Sequence, residues 1–374
     1  MKFTADRATL LKALAHIQSV AEKRNTIPIL ANALLRVEKG RLSITATDME
    51  IAIIEDVAAD TSRDGATTAP AATLYEIVRK LPEGAQIEFD SPGGDAPLAL
   101  RAGRFATSLV TLSTDDFPSM TAGSLPHKFH VSALVLRRLI DRTRFAISTE
   151  ETRYYLNGIY LHAAEGTDGP MLRAVATDGH RLARVEEPQP EGAAGMPGVI
   201  VPRKTVNELR KLLDEASEDV EIGLSDTRIQ FKAGPTQLTS KLIDGTFPEY
   251  ERVIPKDNDK ILRVNKQDFS NAVSRVAAIS SERSRPVKLS LARDLLTLSA
   301  ASPDQGTASE ELDGEHVQYQ AGPLEIGFQA RYLSDITDQI DGEVEFLFSD
   351  GSAPTIVRES GDPNALYVLM PMRV

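Results

Sequence analysis

The sequence contains no cysteine, which removes disulfides, thiolate metal ligands and cysteine nucleophiles together. It contains no apolar run near the roughly 18 residues of a membrane-spanning helix. Its opening residues, MKFTADRATLLK, lack the apolar centre of a signal peptide. We therefore expect a cytoplasmic globular protein and neither an exported nor a membrane-inserted one.

Familiar catalytic and nucleotide-binding strings are also missing. No G-x-x-x-x-G-K, G-x-G-x-x-G, G-x-S-x-G or H-E-x-x-H motif occurs, and neither a metal nor another cofactor is expected. The one string with a catalytic look is TDGHR, in which Asp178 and His180 leave a hydrolase as a minor alternative. Asp-Gly between two alternating runs more often forms a tight turn, because Gly179 accepts a positive φ.

What is present is the composition of an ordinary folded protein. The 374 residues are 41% hydrophobic and 26% charged, as in soluble globular chains. At roughly 150 residues per domain, two or three domains are expected. The 42 Lys and Arg against 54 Asp and Glu give a net charge of -12, which taken alone argues against nucleic acid as a partner.

The opening segment of the chain recurs twice. KFTADRATLLKALAHI returns as KFHVSALVLRRLIDRTRFAI from Lys128 and as LRVNKQDFSNAVSRVAAI from Leu262, a period of about 130 residues. Phe117-Pro118 and Phe247-Pro248 close the first two blocks at matching places. The repeat predicts three similar domains, over residues 1–125, 126–256 and 257–374.

Each block divides into two similar halves. In the first half Leu10, Leu14 and Ile17 form a helical stripe, and three runs that alternate at period two follow it. This pattern predicts an α+β fold of six β-α-β-β-β half-repeats, with helices on one side and antiparallel sheets on the other. The predicted helices span residues 5–24, 71–81, 132–147, 202–215, 266–281 and 330–341.

Charge is distributed unevenly between helices and the rest of the chain. The predicted helices hold about 17 basic and 11 acidic residues, so the strands, loops and linkers carry all of the negative excess. If the helices share a face, that face suits phosphates. Lys and Arg are also good helix formers, so a peptide-binding scaffold with merely solvated helices is the alternative. The last predicted helix, with three aspartates, weakens the basic pattern.

In these features the chain resembles the bacterial DNA polymerase III beta subunit family, the replication sliding clamps. The resemblance covers the whole chain. The segments that carry it are MKFTADRATLLKAL, IPIL, RYYLNG, ATDGHRLA, IVPRK, SKLIDGTFPEY and the terminal MPMR.

The resemblance implies a non-catalytic, head-to-tail homodimer that closes a ring around duplex DNA without sequence specificity. Such a ring tethers the replicative polymerase to its template and gives processivity. The implied partners are the DNA polymerase III alpha subunit, the clamp loader complex, and other polymerases and repair proteins. They would dock through short peptides in a hydrophobic cleft.

The family's functional positions carry over residue by residue. The implied DNA contacts are Arg24, Arg153, Tyr154 and Tyr155. The implied peptide cleft comprises Leu156, Thr177, Gly179, His180, Arg181, Leu182, Pro248, Arg252, Val253, Met370, Pro371, Met372 and Arg373. From the residues alone, the apolar MPMR tail fits either a last core strand or an adaptable binding surface.

Two places depart from the family pattern. Glu150 stands where a loop glutamine is familiar in relatives, which adds a negative charge near the implied DNA contacts. The segments around Thr107 and Ser280 lie near the family's subunit interface but differ in their apolar residues.

Overall fold

The computed structural model describes residues 1–21, 26–94, 96–167, 169–216, 218–279 and 286–373. Arg24 and Ser280 lie outside the described residues. The helices are α1 (Arg7–Val20), α2 (Ala71–Lys80), α3 (Ala133–Arg144), α4 (Arg203–Glu215), α5 (Lys266–Ala277) and α6 (Ala330–Thr337).

The strands fall into three groups along the chain. The first block contains β1 (Lys2–Asp6), β2 (Asn32–Glu38), β3 (Arg41–Thr47), β4 (Ile51–Val57), β5 (Asp60–Arg63), β6 (Gly65–Pro70), β7 (Gln86–Asp90), β8 (Leu98–Ala102) and β9 (Phe105–Leu109). The second contains β10 (His127–Ser132), β11 (Gly158–Gly166), β12 (Gly169–Thr177), β13 (Arg181–Pro188), β14 (Val199–Pro202), β15 (Asp219–Leu224), β16 (Arg228–Ala233) and β17 (Thr236–Lys241). The third contains β18 (Lys260–Asn265), β19 (Pro286–Ala292), β20 (Leu295–Ser302), β21 (Gly306–Asp313), β22 (Val317–Tyr319), β23 (Leu324–Gln329), β24 (Glu343–Phe348), β25 (Thr355–Glu359) and β26 (Ala365–Leu369).

In chain order these elements give the β-α-β-β-β pattern six times, with the short strands β5 and β22 as additions. The predicted half-repeats are therefore confirmed. Some predicted helix ends were wrong by three or four residues: α3 ends at Arg144 and α6 at Thr337. Ile147 and Ile340 each donate to the carbonyl three residues back, a tighter turn than the α-helix. The apolar periodicity continues past the helix because both side chains are still buried.

Helix starts follow local capping chemistry. The Asp6 carboxylate accepts from the amides of Ala8 and Thr9 at the start of α1, and the Asn265 side chain caps α5 in the same way. The second-half helices α2 and α4 instead follow Pro70 and Pro202, without a side-chain cap. Both kinds of start are visible in the sequence, which is why the predicted starts lie within two residues of the observed ones.

The chain divides into two compact units. Unit 1 consists of Met1–Arg137 with Pro190–Ile243, and unit 2 of Arg138–Gln189 with Asp244–Val374.

Unit 1 contains two antiparallel sheets, in the strand orders β5-β1-β7-β8-β9 and β10-β15-β16-β17-β4-β3-β2-β6. The two halves of the first block exchange their first strands: β1 pairs with β7 of the second half, and β6 pairs with β2 of the first. Helix α1 packs on α2 and α4 and against β3 and β4, through the buried side chains Leu10, Leu14 and Ile17.

Unit 2 contains the sheet orders β11-β12-β13-β26-β25-β24-β18-β22 and β21-β20-β19-β23. The third block shows the same exchange, since β18 pairs with β24 and β23 with β19. Each unit also has one sheet that continues from one block to the next. In unit 1, Ser240 of β17 pairs with Ile51 of β4, and in unit 2, Leu369 of β26 pairs with Arg181 of β13.

Candidate functional site

The TDGHR string forms a tight turn, the second-repeat turn, over Thr177–Arg181. The Thr177 hydroxyl donates to the Arg181 carbonyl at 2.7 Å, and one oxygen of Asp178 accepts from the amides of His180 and Arg181. Gly179 has a φ of +89°. The turn interpretation is therefore confirmed, because the hydroxyl and carboxylate that a hydrolase would need hold the backbone instead.

Arg153 lies directly over this turn. A Cβ added to Gly179 would come within 2.5 Å of Nη1 of Arg153, so any other residue there would require the guanidinium to move. Two hydrogen bonds, at 2.8 and 2.7 Å, join Arg153 to the Glu150 carboxylate. These bonds lower the pKa of Glu150. The departure at Glu150 thus has a structural role: its carboxylate neutralises Arg153 beside the turn.

The two tyrosines follow Arg153 in a short 3-10 segment, Glu151–Leu156. Their rings meet edge to face with centroids 5.8 Å apart. Tyr154 is exposed and Tyr155 is half-buried, whereas Leu156 is buried beneath them. Gly245 lies close to the Tyr154 ring and to the Cβ of Tyr155. An exposed hydroxyl next to a half-buried one can reach a phosphate from a rigid base.

Arg181 anchors the second-repeat turn from below. Its side chain is buried and donates to Asp335 at 2.6 Å and to the Phe145 carbonyl at 2.7 Å. The guanidinium also lies 4.5 Å from the centroid of the Tyr332 ring. Leu182 is buried too, so these two residues support the site from within, while Gly179 and His180 face solvent.

The C-terminal tail, residues 370–373, is hydrogen-bonded beside the same turn. The Met370 amide donates to the His180 carbonyl at 2.9 Å, and the Met372 amide donates to the Gly327 carbonyl at 2.8 Å. Met370 is 41% exposed, Pro371 and Met372 are half-buried, and Arg373 is exposed. The core strand β26 ends at Leu369, and the residues after it lie at the surface with flexible thioethers; that they form an adaptable binding surface stays a prediction.

Pro248, Arg252 and Val253 lie in another segment of unit 2. Pro248 and Arg252 are exposed, and Val253 is 52% exposed. The segment ends in a 3-10 turn, Tyr250–Val253, whose first residue is buried. Unit 2 thus holds every predicted cleft residue, and hydrogen bonds join the second-repeat turn directly to the tail.

Two arginines of the predicted basic helix α3 form ion pairs with carboxylates within unit 2. Arg138 and Arg142 both donate to Asp362 at 2.7 Å, and Arg138 also pairs with Glu187. Burial would raise the pKa of Asp362, but the arginines outweigh it and lower the pKa. These two charges are therefore less available to phosphates than the sequence count suggests. The acidic partners are distant in sequence, so no local pattern could reveal them.

The sequence reasoning named the β9 segment but missed β21. Among the described residues, β9 pairs with β8 alone and β21 with β20 alone, so each is an edge strand. Phe105 of β9 is 41% exposed, with the exposed Arg104 before it. The exposed residues of β21 include Glu311 and Asp313. The alternating exposure pattern implied by GTASEELD was the available signal for this edge strand. Few of its residues are apolar, so the alternation was hard to recognise.

Within the described ranges, no helix combines the length and apolarity that crossing a membrane requires. The same part of the chain holds no group of three or more His, Asp or Glu side chains arranged to bind a metal ion.

The six repeated half-units and the exchange of first strands define the class of three-repeat clamp proteins. Family models agree: the DNA polymerase III beta subunit N-terminal domain matches residues 1–121, the central domain residues 130–249 and the C-terminal domain residues 251–373. The chain belongs to the DNA polymerase III beta subunit family, the beta sliding clamps.

Full-length relatives and solved structures support this assignment. The chain is 52% identical over 375 residues to the beta sliding clamp of Caulobacter vibrioides and 38% identical over 376 residues to that of Escherichia coli K12, each covering 100% of both chains. A sliding clamp of Bartonella birtlesii, solved with griselimycin bound, is 47% identical, covers 100% of both chains and superposes with a TM-score of 0.96. The function of the chain is that of a sliding clamp.

Proposed function

We propose that two copies of the chain form a head-to-tail ring around duplex DNA and that each copy docks partner peptides at the second-repeat turn. The observation that carries this proposal is the tail. The tail hydrogen-bonds Met370 to the second-repeat turn and Met372 to Gly327 of β23, and it leaves Met370 41% exposed. An adaptable apolar surface of this kind suits several different peptide anchors.

Two of the edge strands, β9 and β21, support the dimer. An uncovered edge exposes a row of backbone groups that a second strand can satisfy, and a head-to-tail interface that closes makes a ring. Arg104 flanks β9, while Glu311 and Asp313 lie on β21, so the edges have opposite charge. Pairing β9 of one copy with β21 of the other would cover both.

Light scattering tests the dimer and should give twice the chain mass of 40.7 kDa. Arg104→Glu should weaken the dimer, and Glu311→Arg in the same chain should restore it. A monomer at micromolar concentration and low salt would overturn the ring.

DNA would pass through the ring and meet Tyr154, Tyr155 and Arg24 without base-specific contacts. Arg153 would contribute less than its charge suggests, because Glu150 holds it bidentately. Replacing Arg24, Tyr154 and Tyr155 together should weaken DNA retention and leave the dimer intact.

The peptide cleft would consist of the second-repeat turn, the tail and the segment with Pro248, Arg252 and Val253. Similar clamps of Bartonella birtlesii and Pseudomonas aeruginosa were solved with griselimycin bound, which supports a ligand site in this family. The proposed occupants are Gln/Leu/Phe-type peptides of the DNA polymerase III alpha subunit, the clamp loader, other polymerases and repair proteins. The protein would act in the cytoplasm, where it catalyses no reaction.

Retention on DNA is the decisive measurement for the ring. The loaded protein should stay on circular DNA and run off once the circle is cut, because topology and not affinity holds it. Equal retention on cut and intact circles would favour a peptide-binding scaffold instead, and turnover abolished by His180→Ala would favour a hydrolase.

A further inference from the structure

Two buried side chains, Phe247 and Tyr250, hold the segment that carries Pro248, Arg252 and Val253, and only Tyr250 does so through hydrogen bonds of its side chain. Tyr250 is 6% exposed, while these three neighbours point to solvent. Its hydroxyl accepts from Nη1 of Arg173 at 2.9 Å and lies 3.0 Å from Nε2 of His162. A single hydroxyl therefore contacts two different strands, β11 and β12.

The direction of the second bond follows from the other side of the imidazole. Nδ1 of His162 lies 2.9 Å from the Ala163 carbonyl, which can only accept, so Nδ1 carries the proton. Burial and the charge of Arg173 lower the pKa of His162, so the ring is neutral. Nε2 is then an acceptor, and the Tyr250 hydroxyl donates to it. Both the donor and the acceptor capacity of this hydroxyl are used.

Arg173 extends the anchor to a third strand and back to the segment. Its side chain is 5% exposed, and it donates to Glu186 of β13 at 2.8 Å and to Glu251 at 2.7 Å. A buried guanidinium is costly unless its donors are satisfied, so these partners hold one another in place.

The first repeat closes without this anchor. Phe247-Pro248-Glu249-Tyr250 corresponds to Phe117-Pro118-Ser119-Met120, and a methionine cannot accept from an arginine and donate to a histidine at once. The network is therefore absent from the first repeat, whose turn is not proposed to bind a peptide.

We propose that Tyr250, Arg173 and His162 are positioning residues for the peptide cleft. They would hold Pro248, Arg252 and Val253 in the binding geometry before a peptide arrives, which removes an ordering cost from association. This inference rests on the proposed cleft and adds the residues beneath it.

Tyr250→Phe is the sharpest test, because it removes only the hydroxyl and keeps the ring. We expect the affinity for a Gln/Leu/Phe-type peptide to fall about fivefold to tenfold as the segment loosens. Tyr319→Phe is the matched control: Tyr319 is also buried in unit 2, and its hydroxyl donates to the Gly322 carbonyl at 2.7 Å. The control should bind the peptide as the wild type does.

The imidazole of His162 supplies a readout that general destabilisation would not move. In the wild type its 15N signals should report a single tautomer with the proton on Nδ1. In the Tyr250→Phe chain the Ala163 carbonyl still holds the proton on Nδ1, but Nε2 loses its hydrogen-bond donor, so the Nε2 signal should move toward that of an unbonded ring nitrogen. The Tyr319→Phe chain should keep the wild-type signals.

The outcomes separate this inference from the cleft itself. If Met372→Ala weakens peptide binding and Tyr250→Phe does not, the positioning role is wrong and the cleft stands. If Tyr319→Phe weakens binding as much as Tyr250→Phe, the effect is general destabilisation and the inference also fails. A wild-type chain that binds no peptide would overturn both proposals.

Discussion

The first and second repeats contain the same turn, but only the second is a candidate binding site. In the first-repeat turn, Thr47–Ile51, the threonine hydroxyl donates to the last carbonyl at 2.7 Å, as it does in the second-repeat turn, Thr177–Arg181. A neighbouring strand is hydrogen-bonded to each turn in the same way. The Lys241 amide, at the end of β17, donates to the Glu50 carbonyl, and the Met370 amide, just after β26, donates to the His180 carbonyl, both at 2.9 Å.

The difference lies entirely in side chains. Met49 occupies the place of Gly179, and the Glu50–Lys241 ion pair, at 2.9 Å, occupies the place of His180 and Met370. In the first repeat an exposed ion pair lies beside the turn, whereas in the second His180 and the Met370 thioether are exposed there and Arg153 lies against the glycine. A shared backbone therefore presents a charged surface in one repeat and a partly apolar one in the other.

Gly179→Met gives the second turn the residue of the first and should have the largest effect. The new Cβ would lie 2.5 Å from Nη1 of Arg153, so the guanidinium would have to move and the methionine would cover the surface beside His180. We expect a loss of about 2 kcal/mol of peptide binding, roughly thirtyfold in affinity, by calorimetric titration.

Gly361→Met is the matched control for strain. Gly361 also has a φ of +89°, but a Cβ there meets nothing within 4 Å. It should cost about 1 kcal/mol of stability for the left-handed backbone and leave peptide affinity unchanged. Equal losses of affinity in both chains would show that strain, not lost space, explains the Gly179 result.

The order of the elements could be predicted because helical and strand periodicities are local. The exchange of first strands between half-repeats could not, because β1 meets β7 only after the chain has passed five other strands and two α-helices. The turn at Asp178-Gly179 was readable for the same local reason. The bond from Arg181 to Asp335 was not, since 154 residues separate the two.

Installing the ion pair of the first turn in the second should have an intermediate effect. His180→Glu together with Met370→Lys would place opposite charges at the positions of the second-repeat turn that correspond to Glu50 and Lys241. Peptide affinity should fall about tenfold, or about 1.4 kcal/mol, because an apolar anchor would have to displace charged, hydrated groups.

The reverse exchange, Glu50→His with Lys241→Met, provides the control. It should leave peptide affinity unchanged and cost under about 1 kcal/mol of stability, the usual worth of an exposed ion pair. A gain of peptide binding at the first turn would show that the ion pair alone kept that turn closed.

The first helices of the two repeats, α1 and α3, carry different side chains at one corresponding position. His16 of α1 occupies the place of Arg142 in α3, at the same distance after the repeated Lys-Phe pair. His16 lies 2.8 Å from Glu55 and 3.4 Å from Glu215, as Arg142 lies 2.7 Å from Asp362. Burial lowers the pKa of His16, but the two carboxylates outweigh it and raise the pKa. The first repeat thus has a titratable contact where the second has a permanent one.

Raising the pH should loosen α1 but not α3. Because the folded-state pKa of His16 is raised, its stabilisation is complete below the ordinary value of about 6.5 and is lost as the pH rises through the raised pKa. Hydrogen exchange of the α1 amides should quicken over that window, by about 1 kcal/mol in opening free energy. His16→Gln should abolish the pH dependence in α1, and a His16 pKa at or below the ordinary value would contradict this.

The sequence could predict the surroundings of some site residues but not of others. The contact between Arg153 and Glu150, three residues apart, was within reach of local reasoning, and its effect is to set Arg153 over Gly179. The burial of Leu156 and Leu182 was not, because an apolar residue on a strand fits a cleft wall and a core equally well.

Met49→Gly should have the smallest effect and of opposite sign. Met49 has a φ of +74° and is 45% exposed, so it bears left-handed strain without the compensation of full burial. Glycine would relieve about 1 kcal/mol or more of strain but adds freedom to the unfolded chain, which leaves a net gain of about 0.5 kcal/mol of stability. Denaturant unfolding with peptide titration on the same samples would measure both properties. Unchanged peptide affinity is expected, because Glu50 and Lys241 would still close the first-repeat turn. A loss of stability would mean that packing of the Met49 side chain outweighs its backbone strain, and that its presence in the first turn is structural.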